Sequence, residues 1–169
     1  NGTNQSITAG NNFAYTGDFT ILLWSNATNI VSMLAKVSTG TGKANPIKLG
    51  YYGGTNKLGL FLGDGTNETI SSSSTLQSAS VWTHIGVKMV GTTYTFYFNG
   101  ATDGSGTNAA TRSNNAGITT TIGTNSGVGT EWYAGAIDEM YFLNVGVADS
   151  FVTALYNNQS SPATFYSIT

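Results

Sequence analysis

Cysteine is absent from the 169 residues. That excludes disulfides, thiolate metal sites and a cysteine nucleophile, and with them the disulfide-stapled class of small secreted domains. Histidine occurs once, at His84 in an expected strand, where it reads as a packed or hydrogen-bonded residue rather than a base. Charge is also scarce: charged residues make up 8% of the chain, where about 25% is usual. Six basic and eight acidic residues leave a net charge of -2, with no Lys/Arg cluster. A surface that holds a phosphate backbone needs grouped cations. Nucleic acid and anionic membrane are therefore not expected as partners. No apolar run reaches the roughly 20 residues that a membrane-spanning helix requires. The chain opens at Asn1, on strand-like sequence, without a signal peptide or initiating Met. The expectation is a processed protein or a domain cut from a longer chain.

What the chain does have is apolar material and small polar residues. Hydrophobic residues make up 40% and aromatics 12%, enough for a substantial core. Gly, Thr, Asn and Ser fill the place of charge. Such a neutral polar surface fits secreted, cell-surface and virion proteins, so an extracellular or virion-surface location is expected.

Apolar residues recur with period two, in short runs broken by Gly, Asn, Asp and Thr. Strands are expected over residues 18–26, 30–36, 46–52, 57–62, 81–90, 94–98, 118–124 and 131–144. Residues 46–62 read as a hairpin around a turn at 53–56. In 81–90, Thr83, Ile85, Val87 and Met89 alternate with Trp82, His84, Gly86 and Lys88. Asn99-Gly100 suits a type I′ turn, and residues 101–117, without a period, read as a long loop. One segment has helical spacing: Val152, Leu155 and Tyr156 fall on one face after Asp149, a residue able to cap the first turn. The fold class is all-β: an antiparallel two-sheet sandwich with one short C-terminal helix. Residues 1–157 form the domain and 158–169 a tail.

The order of motifs resembles the laminin-G-like, concanavalin A-like lectin/glucanase jelly-roll family. Asn1-Gly-Thr-Asn-Gln-Ser-Ile7 is similar to that family's first strand, with Asn4 and Gln5 at its acidic positions. Gly17-Asp-Phe-Thr-Ile-Leu-Leu-Trp24, Val81-Trp-Thr-His-Ile-Gly-Val87 and Thr93-Tyr-Thr-Phe-Tyr-Phe-Asn-Gly100 are similar to later strands. Gly135-Ala-Ile-Asp-Glu-Met-Tyr-Phe142 resembles Gly-x-Ile-Asp-Glu-Val-x-Ile, and residues 147–156 resemble the closing helix. The resemblance implies a jelly roll. It does not choose among lectins, adhesins, virion proteins and glycosidases, all of which use this fold.

Candidate sites divide by chemistry. Glycoside hydrolysis needs two carboxylates facing one sugar. Asp138 and Glu139 are consecutive on an expected strand, so their side chains should leave opposite faces. With Met140 and Phe142 inward, Asp138 should point inward too and Glu139 outward. The Glu-x-Asp-x-x-Glu spacing of this fold's glucanases is missing, as is a Gly-x-Ser-x-Gly elbow, so no enzyme is expected. The resemblance implies a structural Ca²⁺ between the first strand and Asp138, held by Asp138, Asn4 and nearby carbonyls. The stretch Asp64-Gly-Thr-Asn-Glu68 reads as a turn. Glycan binding needs exposed aromatic faces. Phe19, Trp24, Trp82, Tyr94, Phe96 and Phe98 are expected in the core, which leaves Tyr52, Tyr97, Trp132 and Tyr133 as glycan-binding candidates. Three readings stand: a non-catalytic glycan-binding or adhesion module that meets cell-surface glycans; a structural appendage of a virion or cell surface that contacts other protein subunits; and, least favoured, a glycoside hydrolase.

Overall fold

The computed structural model describes residues 5–11, 13, 15–29, 32–36, 46–51, 55–63, 68–112, 117–125 and 131–165. The strands are β1 (Ile7–Thr8), β2 (Phe19–Asn29), β3 (Ser32–Lys36), β4 (Ile47–Tyr51), β5 (Lys57–Gly63), β6 (Glu68–Leu76), β7 (Thr83–Val90), β8 (Thr93–Phe98), β9 (Ala101–Thr107), β10 (Thr120–Ile122), β11 (Thr124–Asn125), β12 (Glu131–Trp132) and β13 (Ala134–Leu143). Two helices follow, α1 (Asp149–Ser160) and α2 (Pro162–Phe165). One sheet has the order β1-β10-β3-β4-β5-β6 and the other β13-β2-β7-β8-β9, with β11 and β12 as a separate ribbon. Every pairing is antiparallel. This is the two-sheet antiparallel sandwich that the strand pattern implied, in the jelly-roll form that the resemblance implied.

The period-two residues meet between the sheets. Ile85, Val87 and Met89 of β7 and Phe96 of β8 pack against Ile47 and Leu49 of β4 and Leu58, Leu60 and Leu62 of β5. Tyr15 and Phe19 meet Phe142 of β13, Tyr15 edge-on at 5.0 Å between ring centroids. Each such side chain contributes on the order of 1.5–3 kcal/mol through burial.

The outer face of the five-stranded sheet carries a second, smaller core. Val152, from the inner face of α1, packs on Leu22 and Tyr97, with Tyr141, Val147 and Leu155 around them. Thr153 Oγ1 donates to the carbonyl of Gly100 (2.8 Å) and ties the helix to the β8–β9 turn. Asp149 caps nothing here: the N-cap residue is Ala148, without a side-chain cap bond. The Asp149 carboxylate instead accepts from Tyr97 Oη (2.6 Å) and from Lys88 Nζ. α1 also runs to Ser160, into the segment expected to be a tail.

Two strands lie where none was expected. β9 occupies the first part of the expected 101–117 loop. Asn99 (φ 48°) and Gly100 (φ 77°) are both left-handed, the conformation of a type I′ turn, and such a turn returns the chain into a strand. β6 has inverted polarity: Ser71 and Ser73 face inward and Ile70 is exposed. Its serines are satisfied where they are buried. Ser73 Oγ accepts from Leu58 N (2.9 Å) and Ser71 Oγ from Asn108 Nδ2 (3.1 Å), so burying them does not carry the cost of an unpaired polar group.

Candidate functional site

The Asp-Glu stretch of β13 does not follow plain strand geometry. Asp138 pairs with Trp24, but the next register partner is Tyr141 with Leu22, so β13 carries one more residue than β2 over this interval. That is a β-bulge. Glu139 adopts φ 49° to make it, a left-handed conformation that costs a non-glycine residue about 1–2 kcal/mol. The Asp138 carboxylate accepts the Glu139 backbone N–H at 2.8 Å and holds the turn.

The bulge reverses the expected facing of Asp138. Ile137 packs on the main core together with Met140 and Phe142, while Asp138 is exposed and lines the outer face beside Glu139. The separation expected for consecutive strand residues fails because the extra residue absorbs a half-period. Both carboxylates open onto one groove.

That groove holds about 460 Å³ and is lined by Trp24, Trp82, Asp138, Glu139, Gln159 and Ser160. Sheet register supplies its floor, since Asp138 pairs with Trp24 on the neighbouring strand. The end of α1 supplies one wall. Gln159 Oε1 accepts from Trp24 Nε1 at 2.8 Å, and its amide nitrogen donates to Glu139 Oε2 at 3.3 Å. Tyr141 Oη donates to the same Glu139 oxygen at 2.8 Å, which raises the Tyr141 phenol pKa. Trp24 is braced by Tyr156, stacked at 5.7 Å. Trp82, which sits just before β7, is 45% exposed and offers the open aromatic surface.

Trp24 and Trp82 thus belong to the outer face, not to the core where they were expected. The alternation in residues 81–90 already put Trp82 on the face of His84 and Lys88, and that facing was the available signal. Of the four aromatics expected at the surface, Tyr97 is fully buried beneath α1 and Tyr133 is 7% exposed. Burial and the Asp149 contact push the Tyr97 phenol up to about 12. Tyr133 Oη is bonded to Ser25 Oγ at 2.8 Å inside the sandwich. Neither presents a free ring face. Trp132 is half-buried on β12, and Tyr52 lies outside the described residues.

Asn4 also lies outside the described residues, as do residues 64–67. Gln5, Ser6 and Ile7 line a separate cavity of about 230 Å³ with Ile137, which projects from the opposite face of β13. Among the described residues, no three Asp, Glu or His side chains come together as a metal cluster.

His84 adjoins the groove without lining it. It is 1% exposed and lies between Trp24 (5.4 Å) and Tyr156 (5.8 Å). Neither ring nitrogen has a hydrogen-bond partner among the described residues. Burial pulls its pKa down to about 4, so the ring is neutral at neutral pH and serves as packing.

The two antiparallel sheets and their strand order define a jelly-roll β-sandwich, here with an exposed aromatic, two carboxylates and an amide around an open groove. The chain belongs to the concanavalin A-like lectin/glucanase superfamily, whose sequence model matches residues 1–149. A comparison with curated proteins finds no match. Solved structures with this fold include CBM40 of the Ruminococcus gnavus IT-sialidase bound to α2,3-sialyllactose, at TM-score 0.68 and 18% identity over 83% of each chain. Domain 4 of AbnA, a GH43 extracellular arabinanase from Geobacillus stearothermophilus, solved with arabinotriose, gives 0.69 and 17% identity over 89% of this chain and 72% of that one. The heptameric SAP-like pentraxin of Limulus polyphemus gives 0.63 and 16% over 90% and 72%. At these identities the likeness concerns the fold.

Proposed function

We propose that the chain is a non-catalytic glycan-binding module of an extracellular or virion surface, with its ligand in the Trp82 groove. The observation that carries this is the pairing of an open indole face with two carboxylates and an amide. An aromatic face covers the C–H side of a pyranose or furanose ring, and the oxygens receive its hydroxyls. Sugar-binding neighbours of the same fold support the reading. Hydrolysis is disfavoured although the two acids share the groove. A glycosidase shields its acid carboxyl in an apolar setting, and Asp138 and Glu139 are both exposed. Binding that saturates on a glycan array and disappears in Trp82→Ala, with no release of reducing sugar, is the expected result. A flat array with an intact fold would turn the argument to the second reading, a structural appendage. The observation favouring that one is the pair of exposed residues Val90 and Val145, which lie at the far end of the sheet from the groove.

A calcium ion, implied by the family resemblance, is proposed at Asp138, which lines the groove. Asp138, Glu139 and the Gln159 side-chain oxygen are hard donors of the kind Ca²⁺ takes. The partner expected from the first strand, Asn4, lies outside the described residues, and Gln5, Ser6 and Ile7 after it line the other cavity. Equal melting temperatures in Ca²⁺ and in EDTA would remove the ion, since a ligand bound only by the native state must raise stability.

A further inference from the structure

The groove is electrostatically one-sided. Asp138 and Glu139 both open onto it, and among the described residues no Lys or Arg lines it. The end of α1 adds to this. Its last turn contains no basic residue, and the unpaired carbonyls of a helix C-terminus carry about half a negative charge. Gln159 and Ser160 of that turn are groove residues.

The described cations are committed elsewhere. Arg112, the only arginine, donates to the carbonyls of Gly17 (2.7 Å) and Gly91 (3.0 Å). Lys88 pairs with Asp149 and Lys48 with Glu131. Lys57 and Lys36 stand on strands of the other sheet.

From this arrangement we infer that the groove selects uncharged sugars and rejects those bearing a carboxylate, such as sialic and uronic acids. This inference rests on the glycan-binding reading above and names the ligand class for it. A neutral sugar can donate its hydroxyls to the two carboxylates while its ring covers Trp82. In the metal-free groove a sugar carboxylate brings a like charge against both, with no Lys or Arg among the described residues to receive it, and must shed its hydration in doing so.

The discrimination is measured by calorimetric titration in EDTA with paired probes. Lactose is set against 3′-sialyllactose, and arabinotriose against trigalacturonate. Neutral probes should bind, Trp82→Ala should abolish that binding, and the acidic probes should be weaker by about tenfold or more, the scale of one unscreened like-charge contact. In the variant D138N/E139Q, checked for fold by circular dichroism, the gap should narrow because the repelling charge is gone. Sialyllactose binding as tightly as lactose, with Trp82 still required, would overturn the selectivity and leave the groove as the site. A gap that survives D138N/E139Q would overturn its electrostatic origin. Absence of binding by every probe, or binding indifferent to Trp82→Ala, would overturn the site itself and the selectivity with it.

Discussion

The two ends of α1 lie on the same face of the same sheet and do opposite things. At its start, Asp149 meets Lys88 and the Tyr97 phenol, and the side chains beneath, Leu22, Tyr97 and Val152, have no exposure at all. At its finish, Gln159 meets Trp24 and Glu139, and the surface beyond is an open groove. One carboxylate with a cation and a phenol closes an interface. Two carboxylates with no Lys or Arg beside them among the described residues leave one open. The sheet's outer face is therefore part fastening and part binding surface, and the charge balance at each end separates the roles.

The largest effect that would break this contrast lies at the sealed end. Tyr97→Ala removes a fully buried ring from a core of few side chains. Loss of about 3–5 kcal/mol is expected in urea denaturation, the range for a buried aromatic cut to alanine. A loss below about 1 kcal/mol would mean the helix is not firmly docked there.

His84 stands between the two ends and adds a pH dependence. Its folded pKa of about 4 lies below the ordinary 6.5 because of burial. Above pH 6.5 both folded and unfolded states hold it neutral, and the stability is fully present. Between 6.5 and 4 the unfolded chain takes a proton that the folded chain refuses, so stability falls as pH falls. Below 4 the loss is complete, at roughly 3 kcal/mol for a shift of this size. The measurement is the difference between wild type and His84→Phe, which cannot titrate at this position. Parallel stability curves from pH 7 to pH 4 would show that His84 is not held neutral by the fold.

How much of this was legible in the sequence follows from which signals were local. The strands of the main core announced themselves, since alternation in residues such as Ile85, Val87 and Met89 reports a buried face directly. β6 did not, because Ser71 and Ser73 are buried with hydrogen bonds from Asn108 and Leu58, distant in sequence, that no local pattern encodes. β9 was signalled only by the Asn99-Gly100 turn before it. The groove was the least legible part. A single inserted residue at Glu139 moves Asp138 from one face to the other, and Asp138-Glu139 alone does not reveal the insertion. Trp82 was assigned to the core by its chemistry, although its position in the alternation placed it with the outward residues.

A smaller break at the sealed end is Asp149→Ala. It leaves the Tyr97 hydroxyl and Lys88 without their shared acceptor. A cost of about 1–2 kcal/mol is expected, the usual range for a hydrogen-bond partner removed at a partly buried site. Asp149 is itself exposed, so part of this loss should fade in high salt. The expected signature is a melting temperature that falls at low ionic strength and recovers part of the difference in salt. Sugar affinity at the other end of the helix should stay the same.

The smallest change in stability should come with a large change in binding, at Glu139. Its left-handed backbone (φ 49°) costs a side chain energy that glycine does not spend. Its contacts, Tyr141 and Gln159, sit in exposed surroundings where each is worth little. If the strain is kept for the carboxylate's role in the groove, Glu139→Gly should leave stability unchanged or raise it by up to about 1 kcal/mol, and should weaken sugar binding. Denaturation and calorimetric titration of the one variant separate the two quantities. A Glu139→Gly protein that is clearly less stable would show that the side chain holds the bulge itself. One that binds as before would show that Asp138 and Trp82 suffice.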